Sequence, residues 1–359
     1  MRMRRLATAV TVLAIGGAAL AACSSSGSSG AGAGTTTGST TSTTTSAKQT
    51  INIAAPQCAH CLAMYLLTDK IPGYTVNVST FKDFPSLLAG LASGSVSVAQ
   101  IDYTGLLSMV DKGAPVVAIS GEVNGGSDFV VSPKLALTAD DWTAFKSLVA
   151  QDKAAGKPLK IASQFGTVQD IELRLELPAK GISNSDVDYV NVPYQGMAQA
   201  LATGAVSAAI PVQPNAATIT NTKVGVHFAY PYEQPANNLT NVVVANKAYA
   251  DAHPDVIQAI AKGLSALVDY LPTPQGQTDW AAAIEKYAGT NAADTATAMA
   301  QLKPDLNMPF SQIVAVAQAM YAQKLITHNF TADQLKAFVD YAPLSAATGK
   351  TSTQLGDGS

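Results

Sequence analysis

The chain has 359 residues, with 22 lysines and arginines against 25 aspartates and glutamates, a formal charge of −3. There is no basic stripe, and past the first few residues a single arginine, Arg174, remains, which argues against a nucleic-acid partner. The body from Gln49 to Pro343 exceeds the usual size of one hydrophobic core, so two lobes are expected.

At the start of the chain Arg2, Arg4 and Arg5 precede an apolar run, Leu6 to Leu20, and then Leu20-Ala21-Ala22-Cys23. A span needs about 20 apolar residues, so this run is too short to cross a membrane comfortably. Followed by a small-residue cleavage site, it reads as a bacterial lipoprotein signal over residues 1–22, with lipidation at Cys23. Two acyl chains on that cysteine would hold the protein to the outer face of the cell membrane, anchored but not spanning. Residues 23–48 are almost all Ser, Gly, Thr and Ala, a tether whose flexible reach is roughly 25 to 30 Å.

With Cys23 lipidated, Cys58-Ala59-His60-Cys61 is the sharpest local motif, set between a strand and a helix. Three readings of Cys58 and Cys61 stand side by side. Outside the cytoplasm a cysteine pair is normally oxidised, and a disulfide across so short a loop would stiffen it while adding little stability. A metal site would use His60 as a third ligand. A redox pair at a helix N-terminus is the remaining reading, because the helix dipole lowers a thiol pKa. That arrangement resembles the active-site turn of periplasmic thiol oxidoreductases, whose small domain sets a cis-proline loop opposite; the duplicated organisation of this chain differs from it. Otherwise His60 is an exposed loop residue.

In chain order the first lobe reads as a strand through Ile51 to Ala55, a strand at Tyr74 to Thr80, a helix at Pro85 to Ser93 and a strand at Val96 to Ile101. Asp102 and Tyr103 follow at a strand's carboxyl end, where ligands bind in doubly wound sheets. Gly121-Glu122-Val123-Asn124-Gly125-Gly126 lacks the GxGxxG spacing of a nucleotide loop. It reads as the approach to a hinge, with Asp128 to Ser132 crossing between lobes. The second lobe repeats the plan. Lys160-Ile161-Ala162 breaks at Ser163-Gln164-Phe165-Gly166-Thr167, and Val168, Ile171 and Leu175 then fall at helical spacing. Backbone N–H groups at such a helix start face outward, suited to a small polar molecule. Asp188 to Val192, Tyr194 to Thr203 and Val206 to Ile210 continue the alternation, so the fold class is α/β.

Two internal echoes occur in the same order. Ile51 to Gln57 lines up with Leu159 to Phe165, and Leu91 to Ala99 with Leu201 to Ala209. Beyond them Asn241 to Ala245 reads as a return strand and Pro254 to Leu271 as an amphipathic helix carrying Val256, Ile257, Ile260, Leu264 and Leu267. Further helices are expected at Asp279 to Tyr287, Ala293 to Gln301, Ser311 to Gln323 and Thr331 to Tyr341, the last with a capped start at Thr331. No Ser-His-Asp order, paired-carboxylate motif or His cluster is apparent, so no catalytic residue, cofactor or resident metal is expected.

The run Leu87 to Ala99, Lys112-Gly113-Ala114-Pro115-Val116-Val117, Ser163 to Thr167, Ala200 to Ala209 and Pro211-Val212-Gln213-Pro214 resembles the substrate-binding proteins of bacterial ABC importers. The branch is that of the nitrate-, sulfonate- and taurine-type binders and their thiamine-pyrimidine-precursor relatives, and the match covers Thr50 to Leu271. The resemblance implies a periplasmic-binding-protein type II fold, each lobe a mixed sheet flanked by helices, closing over a small molecule. It implies an ABC permease as partner and no enzymatic activity, and a monomer is expected. Lobe 1 would comprise 49–130 and the return at 236–343, lobe 2 would be 131–235, and 344–359 a flexible tail.

Position by position, Ser163, Gly166 and Thr167 match that family's gripping loop, Gln57, Cys58 and His60 its first-lobe loop, and Asp102 and Tyr103 its second first-lobe contact. Pro211, Val212 and Gln213 stand where an aromatic residue and an acid often precede the proline. The candidate cleft loops carry no arginine, and the nearest lysines, Lys82 and Lys112, sit beside strands, so an oxyanion is less favoured. Gln57, His60, Tyr103, Phe165, Gln169 and Gln213 suit a neutral or weakly charged heterocycle. The alternative to a solute receptor is a thiol-disulfide oxidoreductase or metal-binding lipoprotein using Cys58 and Cys61.

Overall fold

The computed structural model describes residues 48–81 and 84–358. The signal, Cys23, the tether as far as residue 47, and Lys82 lie outside the described residues. The chain opens with β1 (Gln49–Pro56), β2 (Tyr74–Phe81), α1 (Phe84–Ser93), β3 (Val98–Asp102), α2 (Tyr103–Asp111), β4 (Val116–Gly121) and β5 (Val123–Gly125). Between β1 and β2 lies a 3₁₀ segment, Cys61–Asp69. A second run follows: β6 (Phe129–Val131), α3 (Trp142–Ala154), β7 (Lys160–Ser163), α4 (Val168–Ala179), β8 (Asp188–Asn191), α5 (Tyr194–Thr203), β9 (Ala208–Ala209), α6 (Asn215–Asn221) and β10 (Val226–Ala229). The chain then returns through β11 (Asn241–Asn246), α7 (Lys247–Ala252), α8 (Pro254–Tyr270), α9 (Pro274–Ala288), α10 (Ala292–Met299), β12 (Leu302–Pro304), α11 (Phe310–Ala322), α12 (Ala332–Lys336) and α13 (Ala342–Thr348).

Two five-stranded sheets result, ordered β2-β1-β3-β11-β4 and β10-β6-β9-β7-β8. Read in opposite directions they superpose strand for strand: three parallel strands, one antiparallel strand, then an outer strand. The internal echo in the sequence therefore corresponds to equivalent places, β1 with β7 and β3 with β9. The antiparallel member of the first sheet, β11, is buried over its whole length. Val242, Val243 and Val244 run consecutively because both faces of an interior strand are covered, which removes the usual alternation.

In the second sheet the alternation is visible. Phe129, Val131 and Ile161 face a core that includes Phe145, Leu173 and Phe228, whereas Val130, Ala162 and Ala209 face Met197, Leu201 and Ile219. Successive side chains of a strand point to opposite faces, so helices cover both sides of this sheet. The first lobe's core is larger, and α8 supplies it with Val256, Ile257, Ile260, Leu264 and Leu267, all buried. Gly263 in α8 is a point of close approach, since a Cβ there would come within 2.6 Å of Ile71. Ile171 of α4 and Ala217 of α6 also belong to this core, so the second lobe packs directly on the first.

Of the stretch 344–359 expected as a flexible tail, residues 344–358 are instead built into the first lobe. Leu344 and Leu355 are fully buried, and the amides of Met308 and Phe310 donate to the carbonyls of Leu355 and Gly356 at 2.9 and 3.0 Å. Small and polar composition masked two apolar anchors there. Thr331 and Gln334 form the expected capping box at the start of α12, which is shorter than the helix read to Tyr341.

Candidate ligand cleft

The second-lobe loop at the end of β7 is organised by Asp170, a nearly fully buried residue of α4. Its Oδ1 accepts from the Ser163 hydroxyl at 2.8 Å and from Arg174 Nε at 2.8 Å, and its Oδ2 accepts from the Gly166 amide at 3.2 Å. Thr167 is the N-cap of α4, accepting from the Asp170 amide at 3.4 Å and donating to the Gln164 carbonyl at 2.7 Å. Gly166 makes the turn at φ +80°, in the left-handed region open to glycine. Ser163 is buried and committed to Asp170, so its hydroxyl shapes the loop from beneath. Phe165 stands out at 44% exposure, with the Arg174 guanidinium 5.3 Å from its ring centroid and 3.8 Å from that of Tyr189.

On the first lobe, β1 ends in a turn closed by a Cys58–Cys61 disulfide, with the Cα atoms 5.1 Å apart. Trp280 Nε1 of α9 donates to the Ala59 carbonyl at 3.1 Å, and the Ala59 amide donates across the cleft to the Gln213 carbonyl at 3.3 Å. Gln213, preceding a cis peptide to Pro214, is itself buried; its Oε1 accepts from the Ala217 amide and its amide donates to the Gly126 carbonyl at 2.9 Å. Gln57 is exposed and donates to the Tyr287 carbonyl at 3.2 Å.

His60 is only 3% exposed, and burial holds its imidazole down to about 3, so it is neutral over the physiological range. Its Nδ1 has no hydrogen-bond partner. The ring lies against Gly126, where a Cβ would stand 3.1 Å from Nδ1. The ligand atoms of Cys58, His60 and Cys61 all lie within 4.8 Å of one another. The disulfide occupies both sulfurs, and thiolates are what a metal would require.

Asp102 and Tyr103, adjacent in sequence, part company. Asp102 is partly buried and N-caps α2, accepting from the Gly105 amide at 2.7 Å. Burial raises its carboxyl to about 6, opposed by the amides of Gly105 and of Val168 across the cleft. Tyr103 does not join the cleft: it is fully buried in the first-lobe core, near Tyr341 and Asp305. Residues 302–341 cover it, and no local spacing reveals that.

A polar network that sequence reading missed in large part runs from here under the cleft. Tyr194 donates to Gln169 Oε1 at 2.5 Å, Gln169 Nε2 donates to Ser127 Oγ at 3.1 Å, and the Ser127 amide donates to Tyr232 Oη at 2.9 Å. Glu172 lies beside Ser127, fully buried, with the Ser127 hydroxyl facing its carboxyl as a hydrogen-bonding group. Burial drives its carboxyl well above the usual range. The available signal was the i, i+3 spacing of Gln169 and Glu172, which puts both on one face of α4. Farther along, Asp294 of α10 accepts from Thr218 and Asn221 of α6 at 2.7 and 2.8 Å, a second bridge between the lobes. Two surface hollows of about 430 and 540 Å³ lie elsewhere, one beside β2 and one between α9 and α10.

The profile of the NMT1-like family matches residues 45–285, well over half of the chain. The chain belongs to the NMT1-like family. A comparison with characterised protein sequences found no match. Among solved structures, the periplasmic nitrate-binding protein NrtA from Synechocystis PCC 6803 aligns with a TM-score of 0.70 at 13% identity, covering 86% of this chain and 91% of that one. The ligand-binding component of an ABC-type import system from Staphylococcus aureus, with zinc bound, gives 0.68 at 15% identity, covering 84% and 100%. The periplasmic aliphatic sulphonate-binding protein SsuA from Escherichia coli gives 0.65 at 17% identity, covering 80% and 91%. These neighbours are ligand-binding proteins, one of them a component of an import system, and the chain shares their periplasmic-binding-protein fold. No helix among the described residues is long and apolar enough to cross a membrane.

Proposed function

We propose that the protein is an extracytoplasmic, lipid-anchored solute receptor of an ABC importer. It captures a small polar or heterocyclic solute, either sulfonate- or nitrate-like or resembling a pyrimidine precursor, by closing its lobes. The observation that carries this reading is the meeting of two equivalent sheet ends. The turn after β1 donates from Ala59 to Gln213 of the facing lobe, while Asp102 approaches the start of α4. A solute held by both lobes stabilises the closed form, which a permease would recognise, and no bond is made or broken. Gln57, His60, Asp102, Phe165, Thr167 and Gln213 are the residues assigned to solute contact or to setting the cleft's shape. Cys23 is assigned to the lipid anchor, and the working unit is a monomer.

A thermal-shift screen of the purified chain tests the receptor reading. A solute at a hundredfold its dissociation constant adds about 2.7 kcal/mol of stability. Stabilisation by one chemical class is the expected result, and silence across all classes would remove the reading. Anchoring is tested separately: Cys23→Ala should release the protein from the membrane fraction, and retention there would refute lipidation at that residue.

A further inference from the structure

We propose that the turn after β1 is a latent metal site, separate from solute capture: once a dithiol opens the Cys58–Cys61 disulfide, Cys58, Cys61 and His60 hold a thiophilic divalent ion of the zinc type. The ligand atoms of the three side chains already lie within 4.8 Å of one another. Among the described residues no other three His, Cys, Asp or Glu side chains are grouped in this way. The second and independent observation is His60 itself. The residue is 3% exposed and its Nδ1 is buried without a hydrogen-bond partner, although a buried polar side-chain atom is ordinarily paired. Two thiolates and one imidazole form a zinc donor set with the fourth tetrahedral position left open, and the two thiolates balance the charge of the ion.

The turn is held by bonds other than the disulfide. The Leu62 amide donates to the Cys58 carbonyl at 3.1 Å, and the Ala63 amide to the His60 carbonyl at 3.3 Å. From outside, Trp280 Nε1 and the Gln213 carbonyl engage both backbone polar groups of Ala59, at 3.1 and 3.3 Å. Opening the sulfur bridge therefore leaves the three donors gathered, which is the preorganisation a metal site needs. Cys58 is half-buried and Cys61 is 1% exposed, so an incoming thiolate reaches the Cys58 side of the bond. Cys61 then departs as a thiolate at the start of the 3₁₀ segment that it opens. Over the whole exchange the dithiol gives up two electrons and two protons and closes to its own disulfide, while the Cys58–Cys61 bond becomes two thiols. Metal binding releases both thiol protons, and neutral His60 adds a nitrogen lone pair.

The test uses the full chain carrying Cys23→Ala, so that Cys58 and Cys61 are the remaining cysteines. It is treated anaerobically with dithiothreitol, freed of the reductant, assayed for thiols, and titrated with cobalt(II) and then zinc(II) beside the untreated chain. The expected result is the visible spectrum of tetrahedral, thiolate-bound cobalt in the reduced chain alone, bleached by zinc. His60→Gln, with an intact thermal transition, should bind cobalt at least about tenfold more weakly, and Cys58→Ser with Cys61→Ser should give no such spectrum. His60→Asn takes the place of His60→Gln if the latter does not fold. Failure of the reduced chain to bind cobalt or zinc would overturn the inference, as would a disulfide that dithiothreitol does not open. Equal binding by the oxidised and reduced chains would put the metal elsewhere and overturn it as well. Unchanged affinity in the folded His60 variant would overturn the assignment of the third ligand.

Discussion

The turn after β1 and the loop after β7 occupy equivalent places in two sheets of the same order, yet they are held by different chemistry. The first is closed by a disulfide and braced by the Trp280 indole on Ala59. The second is held by hydrogen bonds that converge on one carboxylate, that of Asp170. Duplication of a backbone plan thus does not duplicate what stabilises it. The first turn depends on redox state and apolar burial, and the second on a single charge, so each should fail under a different insult.

The largest expected effect falls on the second loop. Asp170→Ala removes the acceptor of Ser163, Gly166 and Arg174 at once and should cost about 3 kcal/mol in urea denaturation. A loss below about 1 kcal/mol would mean that the loop holds itself. On the same helix the opposite sign is expected for Glu172→Gln, a gain of about 2 kcal/mol at pH 8, because a fully buried acid whose carboxyl is raised by burial is exchanged for a neutral amide.

The pH dependence separates the buried acids of both lobes from the buried histidine of the first turn. Glu172 and Glu122 have folded carboxyls raised by burial, and Asp102 is raised to about 6. Each keeps its proton in the folded chain where the unfolded chain has lost it, so their contribution is full below the ordinary carboxylate range and is lost as pH rises through the folded value. His60, lowered to about 3, acts in reverse: its contribution is full above its ordinary value of 6.5 and is lost as pH falls towards the folded value. Thermal unfolding followed across pH 4 to 9 should therefore show His60→Gln flattening the acid limb and Glu172→Gln the alkaline one. If neither substitution alters its limb, the burial assigned to these groups is wrong.

Reduction is expected to matter less. The chain-entropy value for so short a loop is about 2 kcal/mol or less, so Cys58→Ser with Cys61→Ser should lower stability by no more than that in denaturant titration. A larger drop would show that the disulfide also carries the Trp280 brace. Smallest of all, Phe165→Ala should change stability by about 0.5 kcal/mol or less, since the ring is largely in solvent. Any effect it has should appear in solute affinity instead.

These contrasts also explain what could be read from the residues alone. Strand, loop and helix order was legible because it rests on local periodicity: α5 begins and ends where the apolar spacing from Tyr194 to Thr203 does. The β1/β7 and β3/β9 correspondence was legible because short motifs recur in order. The roles of individual cleft residues were less so. Asp170 sits in the first turn of a helix, where an acid is ordinarily a favourable neighbour of the dipole and nothing more. Tyr103 and Asp102 share one dipeptide, and only the later packing of residues 302–341 sends one inward. His60 gave no sign of burial, because its cover comes from Gly126 and residues farther along the chain.

The position of β11 has a consequence for how the molecule comes into being. The second sheet draws all its strands from residues 129–229, a continuous stretch able to assemble as soon as it emerges. The first sheet cannot: β4 is joined to it only through β11, which arrives from Asn241 onward. Until then β3 has an open edge and β4 has no neighbour in the sheet, the kind of unpaired strand that invites association between nascent chains. The inserted lobe is thus placed to mature before the lobe that begins the chain, and the interval between them is when the protein most needs shelter.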